Sequence, residues 1–447
     1  MEAFMVADST PDYPMMCDLE LTFAGQIDRA VFERGLAFAL ARNPLFCCRI
    51  ETIGSGPAWV PVSDPPPVKW VALDDPLDDD YGAPADFRSQ GGLRVWVRQD
   101  NGESRVLLHF HHACADAVGS FGFIEDFLVG YHNAFNDAVP LEARPLEPER
   151  LLTRGEIGMG GRGVWRQITD VLAGAREGIK FFWQRPAPLA ALASPPPNAV
   201  PPRPSFVTAF LSPATTHALR SLASQAGATT NDLLMRELFV MLARWNEAAG
   251  GCSPRRRLRI LMPQNLRERD DYRLPLTNAM SFAFVTRRAN WRERPAAFLE
   301  SLREETEAVR RGKLSLYFLG ALGSIRSAGL LRPLLRGPFC FATAVLSNLG
   351  DPSRRFIASL PHTAGGLAVG NLVYRHVLGV PPTRPRTHVV FTVANHGSTM
   401  SVTCKWDHHR YNPQDGRRIL DDYVAQLDDT ARQFSAGAPR STPPALQ

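Results

Sequence analysis

Apolar and polar positions alternate with period two from Val106 to His111. Val106, Leu108 and Phe110 fall on one side, and Leu107, His109 and His111 on the other. That spacing predicts a buried strand. His112 is next in step at the strand's exit, and a helix-like apolar run follows (Phe121, Phe123, Ile124, Phe127, Leu128). Upstream, residues 92–100 read as a second strand, joined to the first across Asn101-Gly102, a strong hairpin signal. The chain opens with a similar pattern. Leu19, Leu21 and Phe23 alternate, Gly25 marks a turn, and Asp28 caps a helix with Val31, Phe32, Leu36, Ala39 and Leu40 on its buried stripe. Asn43-Pro44 stops that helix before a strand over 45–50, and the Pro- and Asp-rich stretch 61–90 reads as loop.

The second half restarts this grammar. Phe206, Thr208 and Phe210 alternate as a strand, Ser212-Pro213 caps a helix with Pro at its first position, and Asn231 opens another helix with Leu233, Leu234, Leu238, Met241 and Leu242 inside. A strand–turn–helix unit near residue 17 and another near 206 predict a duplicated α/β (α+β) architecture of two similar lobes. Between them lies 185–205, with eight prolines, which reads as a semi-rigid linker. The expected division is therefore 1–184, a linker over 185–205, and 206–447. Just before the linker, 160–183 forms an amphipathic helix pattern with Arg162, Arg166, Arg176 and Lys180 on its polar side. Such a helix packs on the body of the protein or makes peripheral contact with a membrane or a carrier partner. Ile419, Leu420, Tyr423, Val424, Leu427, Ala431 and Phe434 predict a closing amphipathic helix.

Composition narrows the function classes. Hydrophobic content of 45% and charged content of 21% are those of an ordinary globular protein. Fifty basic residues balance 45 acidic ones, and the short Arg255-Arg256-Arg257 cluster reads as a solvated loop, so a nucleic-acid partner is not expected. Seven cysteines form no C-x-x-C pair, which points to a reduced, intracellular protein. The N-terminus lacks a signal-peptide layout and no apolar run reaches membrane-spanning length, so a cytoplasmic, monomeric protein is expected.

The candidate chemistry sits at the exit of the central strand. An imidazole there is held by its scaffold yet can face a cleft, as a general base requires. His111-His112-x-x-x-Asp116 resembles the HHxxxDG motif of the CoA-dependent acyltransferase superfamily. That group includes chloramphenicol acetyltransferases, nonribosomal peptide condensation domains, wax-ester synthases and polyketide-associated acyltransferases. Further matches follow in order. Met262-Pro263-Gln264-Asn265-Leu266-Arg267 resembles the P-x-N-L-R segment of wax-ester synthase relatives, Asn278 resembles the Asn ahead of the next strand, and Ser347-Asn348-Leu349-Gly350 resembles an S-N-x-G segment. The plant-type D-F-G-W-G signature is absent.

The resemblance implies two chloramphenicol-acetyltransferase-like lobes forming a V-shaped pseudo-dimer around a central tunnel. It implies an acyltransferase that takes an acyl group from acyl-CoA or a phosphopantetheinyl carrier thioester, with no bound cofactor or metal, to a hydroxyl or amine acceptor. Specialised-metabolite or lipid assembly would be its setting. His112 would be the base, His111 structural, and Asp116 an orienting group paired with an arginine of the second lobe, for which Arg267 is the candidate. Ser347, Asn348 and Asn278 would line the tunnel, with Ser347 and Asn348 the candidates to polarise the thioester carbonyl. The motif's Gly is replaced by Ala117, with Gly119 two residues on. If the family's Gly serves a positive φ, Ala117 would strain or narrow the site.

Other readings stand beside this one. His109, His111, His112 and Asp116 could bind zinc, although alternation turns His112 away from the other two. Cys114 could be a nucleophile, although an apolar neighbourhood suits an inert thiol. His408-His409 reads as a solvated turn. A wax-ester or diacylglycerol-type lipid synthase is the nearest enzyme alternative, and a docking module without catalysis is the alternative of another class. An epimerase is disfavoured because no assembly-line modules are attached.

Overall fold

A computed structural model describes residues 1–53, 56–83, 86, 90–136, 140–157, 178–192, 203–250, 255–312, 315–363 and 366–437. Most of the amphipathic pattern over 160–183 lies outside these residues, as do Cys252 and half of the proline-rich stretch; 178–183 is helical.

The first half contributes helix α1 (Glu2–Asp8), strand β1 (Met16–Ala24), helix α2 (Arg29–Arg42), a short hairpin of β2 (Cys48–Ile53) and β3 (Gly56–Pro61), then β4 (Val68–Ala72), β5 (Leu93–Gln99), β6 (Glu103–His111) and helix α3 (Ala117–Phe135). Asp28 caps α2 by accepting from Val31 N at 2.9 Å. Two readings change here. Residues 44–47 form a 3-10 turn before β2, because Pro44 sits well at the start of a helical turn. The stretch 61–90 contains β4, which its prolines concealed; β4 is a parallel edge strand on β5. On β6 the expected alternation holds: Val106, Leu108 and Phe110 enter the main core, while Leu107 packs with Trp96 and Tyr81 on the other face.

Helices α2 and α3 cross closely over that core. A Cβ at Gly35 would lie 2.8 Å from Tyr131 N, so only glycine fits the crossing. Phe46, on the 3-10 turn, packs 5.2 Å from Phe110 and edge-on to Phe123 at 4.9 Å. It thereby clamps the end of β6 to the first turns of α3, and the loop between them is held from below.

The second half adds β7 (Val207–Leu211), α4 (Pro213–Gln225), α5 (Thr230–Ala248), β8 (Arg257–Asn265), β9 (Met280–Arg288), α6 (Pro295–Gly312), α7 (Ser315–Ser327), α8 (Leu331–Arg336), β10 (Ala344–Gly350), α9 (Ser353–Ile357), β11 (His362–Thr363), β12 (Gly366–Val369), β13 (Leu372–Val380), β14 (Val389–His396), β15 (Thr399–Trp406) and α10 (Pro413–Gly437). Helix α5 starts one residue before Asn231, because Thr229 and Asp232 form a reciprocal capping box. Its sheet runs β7-β15-β14-β10-β8-β9, with α4, α5, α6 and α10 over one face.

The first sheet runs β11-β12-β13-β1-β6-β5-β4. Strands β11, β12 and β13 therefore leave the second half of the chain, and β13 pairs with β1, from Asp18↔Val380 to Ala24↔Val373. A division into 1–184 and 206–447 does not anticipate this exchange. Its effect is to join the lobes through backbone hydrogen bonds as well as side chains. Between them lies a third core, where Phe4, Met15 and Ala113 meet Met280, Phe282, Val345 and Val390.

Candidate active site

The loop from β6 to α3 is fixed by backbone bonds on every side. His111 N donates to Gly92 O at 2.9 Å, His112 N to Met15 O at 2.7 Å, and Cys114 N to His111 O at 2.9 Å. The turn presents the two histidines to different partners. His111 Nδ1 accepts from Ala113 N at 3.1 Å, and burial, reinforced by His112 and His109, pushes its pKa down to about 3. His111 is thus a neutral brace of the turn.

His112 Nδ1 lies 2.9 Å from Ala115 O. A carbonyl only accepts, so Nδ1 carries the proton and Nε2 keeps its lone pair. Burial lowers the His112 pKa, with the Ala115 carbonyl and Asp116 pulling the other way. The residue borders a cavity of about 170 Å³ drawn from both lobes, which Val118, Pro263, Met280, Ser347 and Asn348 also line. A neutral imidazole of fixed tautomer at a cavity wall has what proton abstraction demands.

Asp116 has no free oxygen. Oδ1 caps α3 by accepting from Gly119 N at 2.8 Å, and Oδ2 accepts from Arg267 Nη1 and Ala279 N, both at 2.7 Å. Arg267 Nη2 also donates to Thr277 O at 2.8 Å. Both side chains are nearly fully buried. The ion pair therefore joins the loop of one lobe to the 266–279 segment of the other. Asn278 strengthens this joint, since its Nδ2 donates to Ala113 O at 3.0 Å and to His112 O. It braces the loop under His112 and is not among the residues lining this cavity.

Gly119 is sterically required: a Cβ there would stand 2.7 Å from Thr277 O. Ala117 occupies the first turn of α3, and Arg386 is the only non-glycine with positive φ among the described residues. The alanine is therefore unstrained. Ser347 and Asn348 sit on β10 at the cavity edge; Ser347 is buried, and Asn348 Nδ2 reaches Asn231 Oδ1 at 3.4 Å.

His109 faces the opposite side of β6. Its Nδ1 pairs with Asp18 at 2.8 Å, and Lys405 holds the other Asp18 oxygen at 3.0 Å. Burial alone would raise the Asp18 carboxyl, but Lys405 and His109 outweigh it and hold the group at about 2. The histidines of β6 thus do not converge on one point. Among the described residues, Asp407, His408 and His409 are the group within metal-ligating reach, and both Asp407 oxygens already accept hydrogen bonds from His388, Tyr13 and the His409 amide. Cys114 is fully buried, which pushes its thiol well above the usual range, and the six described cysteines are free. No helix among the described residues is long and apolar enough to cross a membrane.

Neither a scan against protein-family models nor a search of curated proteins returns a match. Solved structures do match along nearly the whole chain. The first condensation domain of the calcium-dependent antibiotic synthetase superposes with a TM-score of 0.69 at 17% identity, covering 96% of this chain and 94% of that one. The fold is that of a condensation domain. The SgcC5 protein from Streptomyces globisporus matches with a TM-score of 0.65 at 14% identity, covering 97% of each chain. The epimerization domain from the third module of tyrocidine synthetase B matches at 0.60 and 13%, covering 97% and 96%. Condensation folds thus carry more than one reaction, and the chemistry has to be argued from the site. Sequence reasoning identified the two histidines, Asp116 and Arg267 but missed Ala115, Thr277 and Ala279, which act through backbone atoms. A backbone carbonyl or amide leaves no signature in residue identity.

Proposed function

We propose that this protein is a metal-free acyltransferase that moves an acyl group from a CoA or carrier-protein thioester to a hydroxyl or amine, with His112 as general base. The observation that carries the reading is the His112 tautomer: Nδ1–H is committed to Ala115 O, and Nε2 remains basic at the wall of an inter-lobe cavity. In the reaction the acceptor's O–H or N–H proton passes to Nε2 as its oxygen or nitrogen attacks the thioester carbon. The C–S bond then breaks and the proton moves from Nε2 to the departing thiolate. The thiolate is already a good leaving group, so no acyl-enzyme, oxidant or reductant is needed.

Asp116 and Arg267 fix the loop and the lobes, which keeps the two substrates in one small space and makes their collision effectively intramolecular. Ser347 and Asn348 are the side chains at the cavity edge suited to polarising the thioester carbonyl. The test is thiol release from acyl-CoA and acyl-carrier thioesters with mixed alcohol and amine acceptors, with products identified by mass and His112→Ala alongside. Acceptor-dependent release that disappears in the variant supports the reading. Release unchanged in His112→Ala removes His112 as the base.

A further inference from the structure

A second cavity, of about 440 Å³, lies on the same face of β9 as the His112 cleft. Met280 lines the cleft and Phe282 and Phe284 line the larger cavity, so the two cavities are neighbours along one face of this strand. Phe4, Phe181, Phe318 and Phe341 join the two β9 phenylalanines on the wall of the larger one, beside aliphatic residues and the polar Lys180, Arg287 and Glu305. The rings pack together, Phe282 tilted against Phe318 with centroids 5.6 Å apart and Phe284 edge-on to Phe318 at 5.4 Å. The volume is within the range of about 300–1,000 Å³ usual for small-molecule sites.

Arg259, Thr286, Arg287 and Glu305 make part of the lining polar. Arg259 is fully buried there, donates to Thr286 Oγ1 at 2.9 Å and to Phe181 O at 2.8 Å, and lies over the Phe181 ring at 4.2 Å. From Phe282 to Thr286 the strand advances about 13 Å at roughly 3.3 Å per residue. With C–C bonds of about 1.5 Å at tetrahedral angles, an extended hydrocarbon of on the order of ten carbons spans that length.

We infer that this chamber holds the hydrocarbon tail of the acyl donor, so that the substrate class is medium-chain acyl thioesters. The inference rests on the acyl-transfer reading above. The acyl tail begins one bond from the reacting carbon and is apolar along its length. Against the Phe282, Phe284 and Phe318 rings the amides of the pantetheine arm would find no hydrogen-bond partner. Met280 precedes Phe282 on this strand face, and its flexible thioether side chain can move aside for a chain without breaking a packed ring cluster.

The experiment has two arms. Calorimetry on His112→Ala protein compares dodecanoyl-CoA with butanoyl-CoA; turnover by the wild type is measured across donors and, separately, across acceptors of graded length. At least tenfold tighter binding of dodecanoyl-CoA is expected. Ala321→Phe and Ala308→Leu, which fill the chamber from α7 and α6, are each expected to reduce the dodecanoyl-to-butanoyl ratio at least tenfold with circular dichroism unchanged. Equal affinity for the two donors, or a preference untouched by both folded variants, overturns the inference. So does a length preference that follows the acceptor. If no donor is turned over while the binding preference still responds to Ala321→Phe, the chamber stands and the acyl-transfer reading fails.

Discussion

Asp116 and Arg267, 151 positions apart in the chain, form a 2.7 Å ion pair that is almost completely buried where the two lobes meet. Burying both charges costs desolvation, and the pair is tolerable because its other atoms are also bonded, to Gly119 N, Ala279 N and Thr277 O. The pair therefore positions rather than reacts: it sets where the His112 loop stands relative to β9.

Arg267→Ala leaves the Asp116 carboxylate buried without its cation. A loss of about 3–5 kcal/mol is expected from that kind of truncation. In Arg267→Ala/Asp116→Asn the stranded charge is removed as well, so the double variant should be more stable than Arg267→Ala. Urea denaturation of the wild type, Arg267→Ala, Asp116→Asn and the double variant measures this, and a double variant that loses the sum of both single effects would show the two residues to be uncoupled.

The two small residues at the start of α3 should behave oppositely. Gly119→Ala puts a methyl 2.7 Å from Thr277 O, a backbone atom that cannot rotate away, and about 1–3 kcal/mol of overpacking is expected. Ala117→Gly restores the residue of the acyltransferase motif but relieves no strain. It should cost at most about 1 kcal/mol and leave acyl transfer within twofold. A large gain of activity in Ala117→Gly would show that the alanine methyl obstructs the site.

Much of this joint was legible in the sequence, and the limits have physical causes. The alternation from Val106 to His111 located β6 because one face of the strand is buried in a large core, which imposes period two. His112 followed from register, and the Asp116–Arg267 pairing from resemblance. Two things escaped. Strands β11 to β13 cross to the first sheet, and pairing partners of an antiparallel strand leave no mark in its own residues. The bracing role of Asn278, whose Nδ2 donates to the carbonyls of His112 and Ala113, escaped as well. Side-chain direction at a lobe junction depends on tertiary contacts, and spacing along one segment cannot supply it.

Stability should fall with acid before the surface carboxylates titrate. Burial depresses the pKa of His109, His111 and His112 below the ordinary 6.5, that of His111 to about 3. In the unfolded chain these rings protonate near 6.5, so below that pH the unfolded state binds more protons and gains on the folded one. The contribution is complete above pH 6.5 and shrinks as pH drops. For His111 alone, at about pH 5, the loss is on the order of 2 kcal/mol. Denaturant midpoints measured from pH 7.5 to 5 check this, and a flat profile would mean that the buried rings are protonated in the folded state.

The same depression has a kinetic consequence at His112. A general base works only while its lone pair is free, and lowering the pKa below 6.5 keeps Nε2 unprotonated at neutral and mildly acidic pH. The acid limb of kcat/KM for acyl transfer should therefore lie below pH 6.5, with the rate nearly constant between pH 7 and 6.5. His112→Ala should lower kcat/KM by about 10²–10⁴-fold and abolish that limb, because it removes the titrating base. Replacing Ala115 with another small residue such as Ser should leave both intact, since the group that orients His112 is the backbone carbonyl at that position. An acid limb that persists unchanged in His112→Ala would assign proton abstraction to a different group.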